Sequence, residues 1–103
     1  NMALAANRLG DVGGGITIYK DGTELALVDL PIAGLMSDRP AAEVAAKADR
    51  MMQAMRDCGC TLNNAYMQHS LLALVVIPEL RISDLGLVDV RTFEFIPVLD
   101  TSP

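Results

Sequence analysis

The sequence predicts an α+β fold: a mostly antiparallel sheet with one long helix and a short N-terminal helix packed on one face. Three observations lead there: apolar residues at helical steps from Val44 to Cys58, an Asp21-Gly22 turn between two β-rich runs, and short extended runs after Pro78. The 103 residues, 51% hydrophobic and 20% charged, match a single domain with an adequate core spanning the whole chain.

Met2 to Leu9 consists of strong helix formers, and Gly10 together with Gly13 to Gly15 ends the pattern. Three glycines in a row either permit positive φ in a tight connection or let another backbone or a ligand approach closely. From Ile16 to Tyr19 β-branched and aromatic residues take over, Asp21-Gly22 supplies the turn, and Thr23 to Leu30 resumes alternation, which reads as a β-hairpin. Ile16 and Ile18 share one face of the first strand, and Ala26, Val28 and Leu30 share one face of the second. Ile32 to Met36, apolar but preceded by Pro31 and interrupted by Gly34, reads as a buried loop or short turn leading into Ser37 and Asp38, both good N-cap residues.

Pro40 then falls in a first helical turn, and Val44, Ala48, Met51, Met55 and Cys58 lay an apolar stripe along a helix from about Arg39 to Cys58. Glu43 and Lys47 form an i,i+4 pair on its polar side, and Gly59 stands at the C′ position. Asn63-Asn64 marks a loop. Tyr66 to Ile77 is apolar with β-branched residues gathered at its end, which predicts a strand, with a buried helix as the competing reading. Leu80 to Ile82, Leu87 to Val90 and Thr92 to Ile96 are further extended pieces, with a turn over Ser83 to Gly86.

A net charge of −5 and only four aromatic residues disfavour nucleic acid and anionic lipid as partners. Neither end carries a secretory pattern, and the longest apolar run, Leu71 to Pro78, is far below the roughly 20 residues of a membrane span. Cys58 and Cys60, one glycine apart, suit neither a relaxed disulfide nor a zinc site, so free thiols in the cytoplasm are expected. The Ala-rich helical start at Asn1 reads as a domain cut from a longer chain.

Hydrolysis needs an activated water or nucleophile, a proton carrier and a group that stabilises developing charge. The sole histidine, His69, is a structural residue or, as a weak candidate, a ligand or acid/base. Asp38, Glu79, Asp84 and Asp89 sit beside turns and strand ends, where capping explains them. Gly13-Gly14-Gly15 lacks the Lys-Ser or Lys-Thr pair of a phosphate loop and stands between helix and strand in the reverse order. The methionines of the long helix read as core filling. No catalytic residue and no metal ligand set is expected within this chain.

MALAANRL followed by GGGI, the hairpin with YKDG, LPIAGLMSDRPAAEV, and CTL followed by LALVVIPELRISDLGLVDV resemble the C-terminal domain of adenine deaminases nearly end to end. PIAGLMSD and VIPELRISDLGLVDV are the most specific of these. The resemblance implies a parent in the metal-dependent amidohydrolase superfamily that converts adenine and water to hypoxanthine and ammonia. It further implies that the divalent metal, Mn or Fe, and the acid/base groups sit mainly on a catalytic (β/α)8 barrel earlier in the same polypeptide. The family's His-Asp-Ser-His-Asn stretch is absent here. NNAYMQHSLLAL departs from the family's Pro-Phe-Met-Thr-Leu-Ser-Phe pattern, with His69 where a small hydroxyl residue is expected.

The expected role is therefore structural or active-site-capping. The loop of Gly34, Leu35, Met36, Ser37 and Asp38 is the candidate for contact with substrate or barrel, since it is apolar and precedes a helix N-terminus. A free-standing interaction module without catalysis, a homodimer formed through an exposed sheet edge or an apolar surface, is the alternative.

Overall fold

The computed structural model describes residues 1–99, apart from the side chain of Ala73. It divides into two compact units, Asn1–Tyr66 and Met67–Pro103. Helices and antiparallel strands are both present, in the α+β class expected, but the strands fall into two separate sheets.

In the first unit, α1 (Met2–Val12) runs one turn further than the glycines suggest, because Gly10 stays helical. It ends where Gly13 adopts φ 83°, with Gly14 N–H donating to the Leu9 carbonyl at 2.8 Å and Gly13 N–H to that of Gly10 at 3.4 Å. That pair of hydrogen bonds around a left-handed residue is the Schellman ending. Strands β1 (Gly15–Lys20) and β2 (Thr23–Asp29) form the hairpin around Asp21 and Gly22, both at positive φ as a two-residue primed turn requires. The register slips between Ile18 and Tyr19, which accommodates Leu25 as an extra residue on β2.

Helix α2 (Ala41–Asp57) packs on the hairpin, and so does α1. The core joins Ala26 and Val28 of β2 to Met51, Ala54 and Met55 of α2, with Ile16, Ile18, Leu30 and Met52 around them. Met51 is wholly buried at 0% exposure, so the methionines fill the core. Cys58, expected on the stripe, is exposed; Ala54 takes the buried place, and Cys60 packs on the core instead. The helix ends as Gly59 at φ 89° donates to Arg56, and Cys60 N–H to Met55 at 3.0 Å.

Two local expectations are corrected at this helix. Ser37 and Asp38 do not cap it: Pro40 occupies the N-cap position, and its carbonyl accepts from Glu43 N–H at 3.0 Å and Val44 N–H at 3.3 Å. Lys47 does not pair with Glu43 but bonds to Asp29 at the end of β2, tying helix to hairpin.

The strand expected over Tyr66 to Ile77 is not formed. Residues Ala65–Ser70 make a short helix α3, followed by a 3-10 turn Leu71–Ala73. The competing helical reading holds for conformation only as far as Ala73, since Leu74 is extended, and it fails for burial, because Met67, Leu72 and Val76 are all more than half exposed. The backbone satisfies itself locally: Ser70 Oγ donates to Met67 C=O at 2.7 Å, Leu74 N–H to Leu71 C=O at 3.2 Å, and Ile77 N–H to Leu74 C=O at 3.1 Å. In the second unit β3 (Leu80–Ser83), β4 (Gly86–Asp89) and β5 (Glu94–Ile96) follow as an antiparallel meander over Val88 and Val90, the buried hydrophobic residues found there. The Ser83 hydroxyl closes the β3–β4 turn, accepting from Leu85 N–H at 3.2 Å and donating to Gly86 C=O at 3.0 Å.

Candidate functional site

Residues 32–36 fold into a miniature hairpin. Ile32 N–H donates to Met36 C=O and Met36 N–H to Ile32 C=O, each at 3.1 Å, while Leu35 N–H reaches Ile32 C=O at 3.1 Å. The two central residues, Ala33 and Gly34, have φ 56° and 72°, the signs of a type I′ turn. Glycine adopts this conformation freely; alanine does so at a cost of about 1–2 kcal/mol, which the three hydrogen bonds hold in place.

The expectation that this segment is buried is corrected. Leu35 is 77% and Met36 59% exposed, and Ile32 is exposed beside them. An apolar tip fixed by its own hydrogen bonds presents surface without needing to fold on contact. Ser37 and Asp38 leave the tip toward α2: the Ser37 hydroxyl accepts from Arg39 N–H at 3.1 Å, and the Asp38 carboxylate lies 3.7 Å from Arg39 Nε. Both polar side chains are therefore engaged locally, in positions open to solvent or half-buried. Gly34, Leu35 and Met36 are brought together with Ile32, which sequence reasoning did not single out. The Ala-Gly pair between two large apolar residues was the signal for it.

The seat of the turn is the glycine run. Gly13, Gly14 and Gly15 have φ 83°, 119° and 142°. A Cβ on Gly15 would lie 2.1 Å from the Val28 carbonyl oxygen, and one on Gly14 only 2.7 Å from the Gly34 Cα. Leu30 N–H donates to Gly14 C=O at 2.9 Å. Both readings of the glycines hold at once: positive φ and close backbone approach.

His69 lies on α3 with its side chain exposed. Among the described residues no three His, Cys, Asp or Glu side chains gather as metal ligands would. Asp89 is held by Arg91, whose Nη2 and Nε stand 2.7 and 3.1 Å from its two oxygens, and this hydrogen bonding lowers its pKa to about 2. The Lys47 ammonium likewise holds the Asp29 carboxyl below its usual range. Each of these carboxylates serves an ion pair, the opposite of a base poised near neutrality. Cys58 and Cys60 are free thiols. No helix among the described residues is long and apolar enough to cross a membrane.

Fold and site together define a small α+β module with a preset apolar turn. The chain belongs to the adenine deaminase C-terminal domain family, whose model matches residues 1–94. It is 88% identical over 101 residues to an adenine deaminase of Roseobacter denitrificans, and 79% identical over 99 residues to one of a Ruegeria species. It is 50% identical over 97 residues to that of Edwardsiella ictaluri. These alignments take in 98%, 96% and 94% of the chain but only 17%, 16% and 16% of the relatives, so the chain spans about a sixth of the length of the relatives it matches.

Proposed function

We propose that this chain is the non-catalytic C-terminal module of an adenine deaminase, docked on the catalytic barrel of the same polypeptide and capping its active site with the turn of Gly34, Leu35 and Met36. In the whole enzyme the water oxygen bonds to C6 of adenine, the C6–amino bond breaks and ammonia leaves with hypoxanthine formed. The observation that carries the reading is the apolar turn, rigid yet exposed, in a chain that makes up about a sixth of its relatives. The lone exposed imidazole supports assigning the chemistry elsewhere, because water activation needs a base or several ligands at one place. We assign the divalent metal of such an enzyme, Mn or Fe, to the barrel. Free thiols fit a cytoplasmic setting.

Incubating the purified chain with adenine and added Mn(II) or Fe(II) tests the assignment directly. No ammonia is expected; measurable release, abolished by chelation, would show that a reactive centre does assemble here.

A further inference from the structure

Gly14 and Gly34 are glycines for different reasons. At Gly34 an added Cβ would meet nothing within 4 Å, so its φ of 72° alone calls for glycine. At Gly14 the obstacle is also spatial: its Cβ would fall 2.7 Å from the Gly34 Cα and 3.3 Å from the Gly34 nitrogen. Both atoms are backbone, so no side chain can rotate to make room. The adjoining Gly13 is less demanding, with 3.5 Å to the Pro31 Cα. The α1–β1 connection thus bears directly on the backbone of the apolar turn, 20 residues along the chain, and the Leu30–Gly14 hydrogen bond fixes the strand end that leads into it.

We propose that Gly14 is a positioning residue: by carrying no side chain it seats the Ile32–Met36 turn, so that Leu35 and Met36 are presented at one fixed place to the rest of the polypeptide. This rests on the reading of the turn as the surface facing the catalytic barrel. The remainder of the polypeptide is the occupant because the matched relatives extend far beyond this segment. A rigid turn held on backbone contacts transmits a displacement, as a soft loop would not. Misplacement by about 1 Å at a remote seat is enough to cost up to 100-fold in rate where a lid completes a site.

The experiment uses a full-length adenine deaminase carrying this domain, with Leu35→Ser, Gly14→Ala and Gly59→Ala compared. Gly59 also has positive φ, at 89°, but open space at its Cβ, so Gly59→Ala carries backbone strain without the clash. Leu35→Ser and Gly14→Ala are expected to lower kcat/KM for adenine by on the order of tenfold, and Gly59→Ala by less than about twofold. In the 103-residue chain, amide chemical shifts of residues 32–36 are expected to move in Gly14→Ala and stay in place in Gly59→Ala. An unaltered kcat/KM in Leu35→Ser would reject the turn as the barrel-facing surface. A loss in Leu35→Ser combined with a Gly14→Ala variant no different from Gly59→Ala, in rate and in shifts, would keep that surface and reject Gly14 as its seat. Should Gly14→Ala fail to fold, Pro31→Gly loosens the neighbouring contact, where Pro31 faces Gly13 at the entry to the turn; a folded Pro31→Gly enzyme of unaltered kcat/KM then overturns the inference, and a tenfold loss with moved amide shifts at residues 32–36 supports it.

Discussion

Asp89 shows how a single side chain ties acidity to stability. Its carboxylate accepts from the Arg91 side chain and from the Arg91 N–H at 3.0 Å, and its pKa falls from 3.8 to about 2. A carboxyl whose folded-state pKa is depressed stabilises the fold above its unfolded value and loses that contribution as the pH drops through the folded value. The stabilisation from Asp89 should therefore be complete above about pH 5 and decline between about pH 4 and pH 2. Asp89→Asn removes the titration, so urea midpoints of the two proteins should differ by a constant amount near neutrality and converge as the pH approaches 2. Parallel curves down to that pH would show that the ion pair carries none of the acid sensitivity. Arg91 is itself a surface group, so raised salt should weaken the effect.

At the scale of elements, the seam between α2 and β2 holds the first unit together. Met51 is fully buried against Ala26 and Val28, whereas Lys47 and Asp29 pair at a partly exposed margin. Met51→Ala should cost about 2–5 kcal/mol in urea unfolding of the chain, and Lys47→Ala no more than about 1 kcal/mol. An equal cost for both would place the ion pair, not apolar burial, at the centre of the seam. The sequence showed these elements because their signals are local. Asp21-Gly22 supplies two positive φ values in succession, Gly59 supplies a left-handed residue after the helix, and the apolar faces of β2 and α2 meet each other. Where apolar residues do not serve this chain's own core, the same reasoning failed. Apolarity alone reads Tyr66 to Ile77 as a strand or a buried helix and Ile32 to Met36 as a buried loop or turn, yet Leu72, Val76, Leu35 and Met36 are exposed. Hydropathy reports a preference for leaving water without naming the surface that will cover a residue. The candidate turn was thus located by sequence, while its exposure, Ile32 as its second arm and Gly14 as its support required distances between segments far apart in the chain.

Across the whole molecule, apolar surface is distributed in a way that a self-sufficient protein avoids. Ile82, Leu85, Phe93, Phe95, Val98 and Leu99 are each more than three-fifths exposed, and only Val88 and Val90 are buried hydrophobics among the described residues of the second unit. Along the meander, Ile82 pairs with Leu87 and Leu87 with Ile96, an apolar row whose first member is exposed and whose other two are half-buried, while exposed Phe95 pairs with Val88 on the opposite face. Single exposed leucines are ordinary, but apolar residues repeated on one small sheet mark a surface meant for a partner. If the partner is the remainder of a longer polypeptide, the separated chain has no matching surface of its own. Its self-association should then be weak, reversible and graded with concentration, because two such faces were not shaped for each other. If instead the chain is a free-standing module, the same residues form a self-complementary two-fold interface. A dimer would then persist on dilution to well below micromolar concentrations, since an obligate interface of this kind has no stable folded monomer. Sedimentation velocity over a wide concentration range separates the two, with a sedimentation coefficient that climbs steadily expected here. A constant dimer value would reject the rest of the polypeptide as what covers these residues and favour the dimeric alternative.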